Sequence, residues 1–228
     1  MKFNTLHSWH LTTSEAREIQ ERFRRKVRRK NAAGLRRIRH VAGVDVSVKD
    51  KRVCAAIVLL DFSTLELVEQ TIHQEAVHFP YVPGLLSFRE CPAILAAYEK
   101  LSIEPDLLLV DGQGIAHPRR FGLAAHLGVL LNKPTIGCAK SRLIGTYEEP
   151  YDEAGCYTDL FDGMELIGAV LRTRSNVRPL FISIGHKIEL SKALDLVLAC
   201  CRGYRLPEPT RLAHQSAGGI VRSSRARK

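Results

Sequence analysis

The chain has 228 residues, of which 45% are hydrophobic and 25% are charged. This composition is that of an ordinary globular protein, and it excludes collagen-like, disordered and small disulfide-stapled classes. The longest uninterrupted apolar run, residues 53–60, is too short to cross a membrane, which takes a helix of about 20 residues. The N-terminus lacks the apolar segment of a secretory signal. We therefore expect a soluble, cytoplasmic protein whose six cysteines are reduced.

The formal net charge is +10, and the excess positive charge is concentrated in two segments. Residues 17–39 contain eleven basic and two acidic residues, and residues 218–228 contain four basic residues and no acid. The rest of the chain is slightly acidic. This asymmetry predicts a phosphate-rich partner. The alternative is a solvated basic helix face followed by a frayed tail.

The first predicted element is a helix from Thr12 to about Lys30. Thr12 and Glu15 have the spacing of a capping box, and apolar residues recur every four positions along one face. A break is expected at 31–34. Three strands joined by short turns then predict an antiparallel meander: Val41–Val48, Arg52–Leu60 and Leu65–Val77.

Helices and strands alternate after a stiff, proline-bracketed loop at 79–84. Helices are predicted at 87–101, from near Pro118, and at 189–201, with strands at 106–110, 135–139, 165–172 and 180–184. A meander followed by this alternation indicates an α/β fold with a mixed β-sheet flanked by helices. We predict a single domain over residues 1–228, with a basic N-terminal helical arm (12–39) and a basic C-terminal tail (218–228).

Two carboxylates lie where the pattern predicts apolar strands. Asp45 interrupts the first strand of the meander, and Asp111 ends the strand at 106–110. If these strands are neighbours, the two side chains meet at the centre of the sheet, with Glu90 on the helix after the loop. Such oxygen donors suit a hard cation such as Mg²⁺, and with it phosphoester chemistry. Taken alone, each carboxylate is more typical of a turn or a solvent-facing position.

Six longer motifs decide between these alternatives. In chain order they are Val44–Ser47, Pro80–Glu90, Asp111–Arg120, Pro134–Arg142, Gly185–Lys187 and Tyr204–His214. Together they resemble the endonuclease V family over about residues 10–215. The resemblance implies a ribonuclease H-like fold, which agrees with a mixed sheet carrying helices on both faces.

The resemblance also implies a function and a catalytic group. Family members are Mg²⁺-dependent DNA repair endonucleases that recognise deaminated bases, chiefly deoxyinosine. They hydrolyse the second phosphodiester bond 3′ to the lesion and leave the lesion in the nicked strand. By motif match, Asp45 and Asp111 would bind the metal, Glu90 and His214 would complete the catalytic group, and Lys140 would contact phosphate near the cut.

A further set of residues would bind the damaged base. Tyr81, held between Pro80 and Pro83, would be the wedge that fills the gap left by an extruded base. Without the resemblance, Tyr81 would be interpreted as a loop aromatic that covers core.

Three glycines and a histidine complete the implied DNA contacts. Gly84, Gly112 and Gly114 would allow the base to approach the backbone closely. His117 would open the helix predicted from near residue 118, whose free N–H groups could hold phosphate. Ordinary turn chemistry and bound water are the alternatives for these positions.

Two other functions remain open at this level. An endoribonuclease acting on inosine-containing RNA would use the same site, because a ribonuclease H-like site does not itself select the sugar. A non-catalytic nucleic-acid-binding module is the second alternative, and the intact carboxylates Asp45, Glu90 and Asp111 argue against it. We expect a monomer whose partner is DNA containing deaminated bases and which has no membrane association.

Overall fold

The computed structural model describes Phe3 and residues 6–220. Its strands are β1 (His40–Lys49), β2 (Arg52–Asp61), β3 (Leu67–Ala76), β4 (Leu107–Val110), β5 (Thr135–Ala139), β6 (Tyr157–Asp162), β7 (Glu165–Leu171) and β8 (Leu180–His186). Its α-helices are α1 (Thr13–Phe23), α2 (Leu86–Glu99), α3 (Leu123–Leu131), α4 (Leu190–Ala199) and α5 (Glu208–Ala217). Of the predicted basic tail, residues 221–228 lie outside the described residues.

The strands form a single mixed sheet in the order β3-β2-β1-β4-β5-β8-β7-β6. β1, β2 and β3 are antiparallel neighbours, which confirms the predicted meander. β4 pairs parallel with β1, and β5 pairs parallel with β4. The remaining strands, β8, β7 and β6, continue antiparallel from β5. The adjacency of β1 and β4 is the arrangement on which the metal hypothesis depended.

Helices cover both faces of the sheet, as predicted. Alternate side chains of each strand point to opposite faces. Val41 and Leu109 therefore belong to the core under α4 and α5, whereas Ala42 and Val44 pack under α2 and α3 on the other face. α1 forms a further layer, with Ile19 in a cluster that includes side chains of α2 and α3.

The N-terminal helix is shorter than predicted. α1 ends at Phe23, and only a 3-10 turn continues it. Six of the seven residues from 24 to 30 are basic, and like charges four positions apart destabilise a helix. The backbone of this run pairs with the end of β8 instead. The Arg28 N–H donates to Nδ1 of His186 at 3.2 Å, and the Arg28 carbonyl accepts from the N–H of Lys187 at 2.6 Å.

One other predicted helix begins later than expected, and two elements of the structure were not predicted. The helix predicted from Pro118 begins at Leu123, because the preceding residues form a turn, in which the Arg120 N–H donates to the His117 carbonyl at 2.8 Å. β6 was not predicted because it is an edge strand with mostly exposed side chains. α5 was not predicted because it begins among prolines that the sequence pattern assigns to a loop.

Two expectations from the sequence concern membrane-spanning helices and the cysteines. Among the described residues, no helix is both long enough and apolar enough to span a membrane. All six cysteines lie within the described range, and none of them forms a disulfide.

Candidate active site

Asp45 and Asp111 lie side by side at the centre of the sheet. Asp45 lies in β1, Asp111 directly follows β4, and the Asp111 N–H donates to the Val44 carbonyl at 2.9 Å. The parallel pairing of β1 and β4 thus brings the two carboxylates together, as predicted. With His214, they form a group whose ligand atoms all lie within 4.8 Å of one another.

A glycine in β1 allows α5 to pack closely enough to place His214 beside these two carboxylates. A Cβ atom at Gly43 would lie 1.9 Å from the Pro209 carbonyl oxygen, so only glycine lets the start of α5 lie this close to β1. His214 Nδ1 donates to Asp45 Oδ2 at 2.6 Å. The other Asp45 oxygen, Oδ1, accepts the N–H of Val46 at 2.8 Å.

Lys140 supplies the positive charge of the group. It follows β5, and its ammonium pairs with Asp111 Oδ2. It also lies 3.3 Å from His214 Nδ1. Because that nitrogen needs its proton to bond Asp45, and an ammonium is only a donor, the hydrogen bond of Lys140 is the one to Asp111. The carbonyl of Lys140 accepts from Nη2 of Arg205 at 2.6 Å, which fixes its backbone.

Burial and mutual repulsion perturb the acids of the site. Burial and then the charge of Asp111 raise the pKa of Asp45, although His214 and Lys140 act in the opposite direction. Burial and then Asp45 raise the pKa of Glu90 to about 8. Two carboxylates therefore lie close together in a largely buried position, an arrangement that a bound cation would stabilise.

A cavity of about 440 Å³ opens beside these groups. Glu90, Asp45, Asp111, Lys140 and His214 line one part of it. The remainder of its wall includes Gln20, Tyr81, Pro83, Gly84, Gly112, Gln113, His117, Ala139 and residues 141–143. The candidate catalytic residues therefore lie next to a pocket that is large enough for a base.

Comparison with known proteins decides the family. The family model described as Endonuclease V matches residues 21–215. The endonuclease V of Dehalococcoides mccartyi is 52% identical over 97% of this chain and 99% of its own. This chain belongs to the endonuclease V family.

Solved structures of the family agree with the fold. The endonuclease V of Bacillus subtilis is 32% identical, with a TM-score of 0.90 over 96% of both chains. The endonuclease V of Ciona intestinalis is 28% identical, with a TM-score of 0.80 over 91% of this chain and 97% of that one. It was solved in complex with a 23mer DNA containing an inosine followed by a ribo-adenosine. Membership makes the chain a nuclease, and these matches confirm its ribonuclease H-like fold.

The motif that matches the family wedge forms an exposed loop at the mouth of the cavity. Tyr81 is 67% exposed, and the guanidinium of Arg89 lies 5.9 Å from its ring centroid. Pro80 and Pro83 on either side are also exposed, and they restrict the backbone of the loop. Tyr81 covers no core, so the alternative interpretation of this residue is wrong.

The three glycines of the family motifs have different surroundings. Gly84 has φ +77° and lines the cavity, so glycine is favoured there on conformational grounds. Gly112 also lines the cavity, and a Cβ atom on it would lie 3.3 Å from Leu123. A Cβ atom on Gly114 would lie 2.1 Å from the Ile184 carbonyl oxygen. Gly114 therefore allows close packing of its loop on β8 and is not among the residues that line the cavity.

His117 does not open a helix, because α3 begins six residues later. It is buried; its Nε2 donates to the Gly84 carbonyl at 3.0 Å, and its Nδ1 accepts the N–H of Arg119 at 3.1 Å. Burial and the charge of Arg119 lower its pKa to about 4. The prediction of a helix N-terminus at this residue was wrong, since a neutral His117 supports the loop of Gly84 instead. A DNA contact by His117, which lines the cavity, stays a prediction.

Sequence reasoning missed two residues of this region. Gln20 of α1 is fully buried and lines the cavity, and Arg119 bonds both Gln20 and Gly84. The apolar stripe of the helix placed Gln20 next to Ile19 and one turn after Ala16, on the inward side. A polar residue at an inward position was the available signal.

Proposed function

We propose that this chain is a Mg²⁺-dependent DNA repair endonuclease that cuts beside deaminated bases, chiefly deoxyinosine. The observation that carries the proposal is the group of Asp45, Asp111 and His214, which opens on the cavity that the Tyr81 loop borders. Cleavage at the second phosphodiester bond 3′ to the lesion is the position that the motif resemblance implies. The Ciona intestinalis relative, which was solved with inosine-containing DNA, supports the choice of lesion.

The donor set fits a divalent cation. Asp45 and Asp111 would hold it, and the imidazole of His214 lies within reach as a third ligand. Burial and then the charge of Asp111 raise the pKa of Asp45, and a cation would offset both effects. Two carboxylates suit Mg²⁺, and the imidazole extends the range to Mn²⁺. Such an ion, when bound, supplies Lewis-acid chemistry for phosphodiester hydrolysis.

The remaining polar groups of the site act on the phosphate. The Lys140 ammonium, held by Asp111 at the cavity, provides a point charge for a phosphate oxygen. Glu90 lines the same cavity, and burial together with the charge of Asp45 raises its pKa to about 8 when no cation is bound. A cation held by Asp45 and Asp111 would favour the ionised carboxylate, which would complete the catalytic group beside it. His214 orients Asp45 through their 2.6 Å contact.

The decisive experiment is a nicking assay on a duplex with one deoxyinosine, in Mg²⁺, in Mn²⁺ and in EDTA. We expect a nick only with metal, and a sequencing ladder should place it at the second bond 3′ to the lesion. Asp45→Asn should lower the rate at least about a thousandfold, equivalent to about 4 kcal/mol, while lesion binding is kept. Asp195→Asn, at an exposed position of α4, is the matched control. Near-normal nicking by Asp45→Asn, or nicking in EDTA, would contradict the proposal.

Inosine-containing RNA is the second candidate substrate. The DNA held by the Ciona intestinalis relative carries a ribo-adenosine after its inosine, so that protein accommodates a ribose next to the lesion. Parallel assays on matched deoxyinosine and inosine strands, in duplex and single-stranded form, distinguish the two substrates. Faster cleavage of the RNA strand would replace the DNA proposal with this one.

A further inference from the structure

The carbonyl oxygen of Gly84 receives three hydrogen-bond donors. Nε2 of Gln20, Nε2 of His117 and Nη2 of Arg119 each lie 3.0 Å from it. A backbone carbonyl has two lone pairs, so this oxygen is unusually heavily bonded. It belongs to the last residue of the loop that carries Tyr81, and the loop is therefore anchored at this single atom.

Gln20 connects that anchor to the N-terminal helix. Its side chain is 0% exposed, and its Nε2 donates also to the Phe121 carbonyl at 3.1 Å. Its Oε1 accepts Nε of Arg119 at 2.5 Å. Both polar ends of the amide are thus bonded, and three chain segments meet on it: α1, the Tyr81 loop and the segment before α3.

Core packing alone does not account for a glutamine here. The other inward residues of α1, namely Ala16, Ile19 and Phe23, pack in an apolar cluster. An apolar side chain of similar length would fill the same space without the cost of burying an amide. What an apolar side chain cannot provide is the pair of contacts that orients Arg119 and holds the Gly84 carbonyl.

We propose that Gln20 is a positioning residue for Tyr81, needed to open a duplex at the lesion and not for phosphodiester hydrolysis. Only two residues, Val82 and Pro83, separate Gly84 from Tyr81, and the proline stiffens the link, so a shift of the Gly84 carbonyl moves the tyrosine ring. This inference rests on the proposed function. By this inference, α1 contributes to lesion recognition through a buried glutamine, and not only through the basic residues on its surface.

The test compares one lesion in two contexts. Gln20→Met keeps the length of the side chain and removes every polar contact. Under single-turnover conditions we expect deoxyinosine nicking in duplex DNA to fall at least about tenfold, the scale of lost buried hydrogen bonds. Nicking of the same strand without its complement should change less than about twofold, because no base pair has to be opened. The fluorescence of 2-aminopurine beside the lesion should report less unstacking with the variant.

Two further variants control for folding. Thr71→Val removes another buried hydrogen bond, from Thr71 Oγ1 to the Ala97 carbonyl at 2.9 Å, and should affect neither substrate. Gln20→Glu keeps an acceptor for Arg119 and loses the donors to Gly84, so it should show the same duplex-specific loss if Gln20→Met does not fold. Equal losses on both substrates, or an unchanged duplex rate, would overturn the proposal. Failure of the wild-type protein to nick either substrate would instead overturn the proposed function, and this inference with it.

Discussion

Tyr81 combines exposure with restraint in a way that suits contact with a base. Two-thirds of its surface is in solvent, since it is 67% exposed, while prolines on both sides limit the backbone. A stacked ring therefore gives its contact energy with little loss of backbone freedom.

Replacing this ring should weaken recognition more than chemistry. For Tyr81→Ala we expect the preference for deoxyinosine over undamaged duplex to fall by about 1–3 kcal/mol, the usual value of one base–aromatic stack. Competition binding with the two duplexes measures it. Tyr151→Ala, at a tyrosine that is 81% exposed and does not line the cavity, should leave the preference unchanged. If instead the cleavage step collapses while the preference stays, Tyr81 belongs to the chemistry.

The residues of the site differ in how far the sequence could predict them. Residue type makes Asp45 and Asp111 candidates, because a carboxylate in or at the end of an apolar strand is costly to bury, but only the resemblance decides between a metal site and a turn or solvent-facing position. His214 and Lys140 required the resemblance, since each alone has the features of a surface residue. His214 is exposed, and it lies 169 positions after Asp45 in the sequence. No local sequence pattern can therefore predict their contact.

The two edges of α1 differ in what they face. Arg17 lies one turn before Gln20, and its charge, after burial, lowers the pKa of Arg119 beside the Tyr81 loop. Arg22 lies toward the opposite edge, with its guanidinium 4.8 Å from the ring centroid of Phe23. Farther along the basic segment, Arg29 is already paired with Glu165 at 2.8 Å. Arg17 is therefore the better candidate for a phosphate contact.

Two substitutions of equal charge test this difference. Arg17→Gln should lower affinity for lesion and undamaged DNA by a similar factor, because phosphate contacts do not distinguish bases. The slope of log affinity against log salt should flatten by about 0.9 for one lost contact. Arg22→Gln should change the slope much less. Equal slopes for the two variants would show that α1 contributes only a general positive field.

The close fit of α5 on β1 makes a second test possible at this scale. Gly43→Ala places a methyl group 1.9 Å from the Pro209 carbonyl, so α5 must shift and His214 must leave Asp45. Overpacking of this kind costs about 1–3 kcal/mol of unfolding free energy, and nicking should fall with it. Gly34→Ala, where no atom of the described residues lies within 4 Å of the added atom, is the control in urea unfolding and nicking. Full activity of Gly43→Ala would show that the helix position does not matter.

Elements with strong local signals were predicted well. β2 is buried along almost its whole length, and its continuous apolar run gives its position to within one residue. α1 was predicted too long because the apolar stripe continues to Val27, while charge repulsion and pairing with β8 end the helix earlier. α5 packs on β1 and β2, which lie far away in the sequence, and β6 is an edge strand whose mostly exposed side chains carry no burial pattern.

At the scale of the whole molecule, buried neutral histidines tie distant segments together. His186 at the end of β8 is 3% exposed and accepts the Arg28 N–H through Nδ1. Burial, and then the charges of Lys187 and Arg28, lower its pKa to about 4. The unfolded chain binds a proton at this residue near pH 6.5 and the folded chain does not, so this contribution to stability is present above pH 6.5 and is lost as the pH falls toward 4.

His186→Asn should reveal that contribution. Asparagine can accept the Arg28 N–H and does not titrate. In urea unfolding from pH 7 to pH 5, wild type should lose about 1 kcal/mol more than the variant, a value reduced from the full shift to allow for solvent screening. The other histidines titrate in both proteins and cancel in the difference. Parallel curves would mean that His186 is protonated without cost in the folded state.

The late position of α5 in the chain determines when the candidate active site is completed during synthesis. Residue 208, where α5 begins, is synthesised well after the other residues of the site, namely Asp45, Glu90, Asp111 and Lys140. Domains fold as their residues emerge, but without α5 the apolar face of β1 and β2 that packs on Leu212 stays uncovered, and Asp45 has no imidazole partner. A nascent chain therefore carries only part of the candidate active site until this helix has docked.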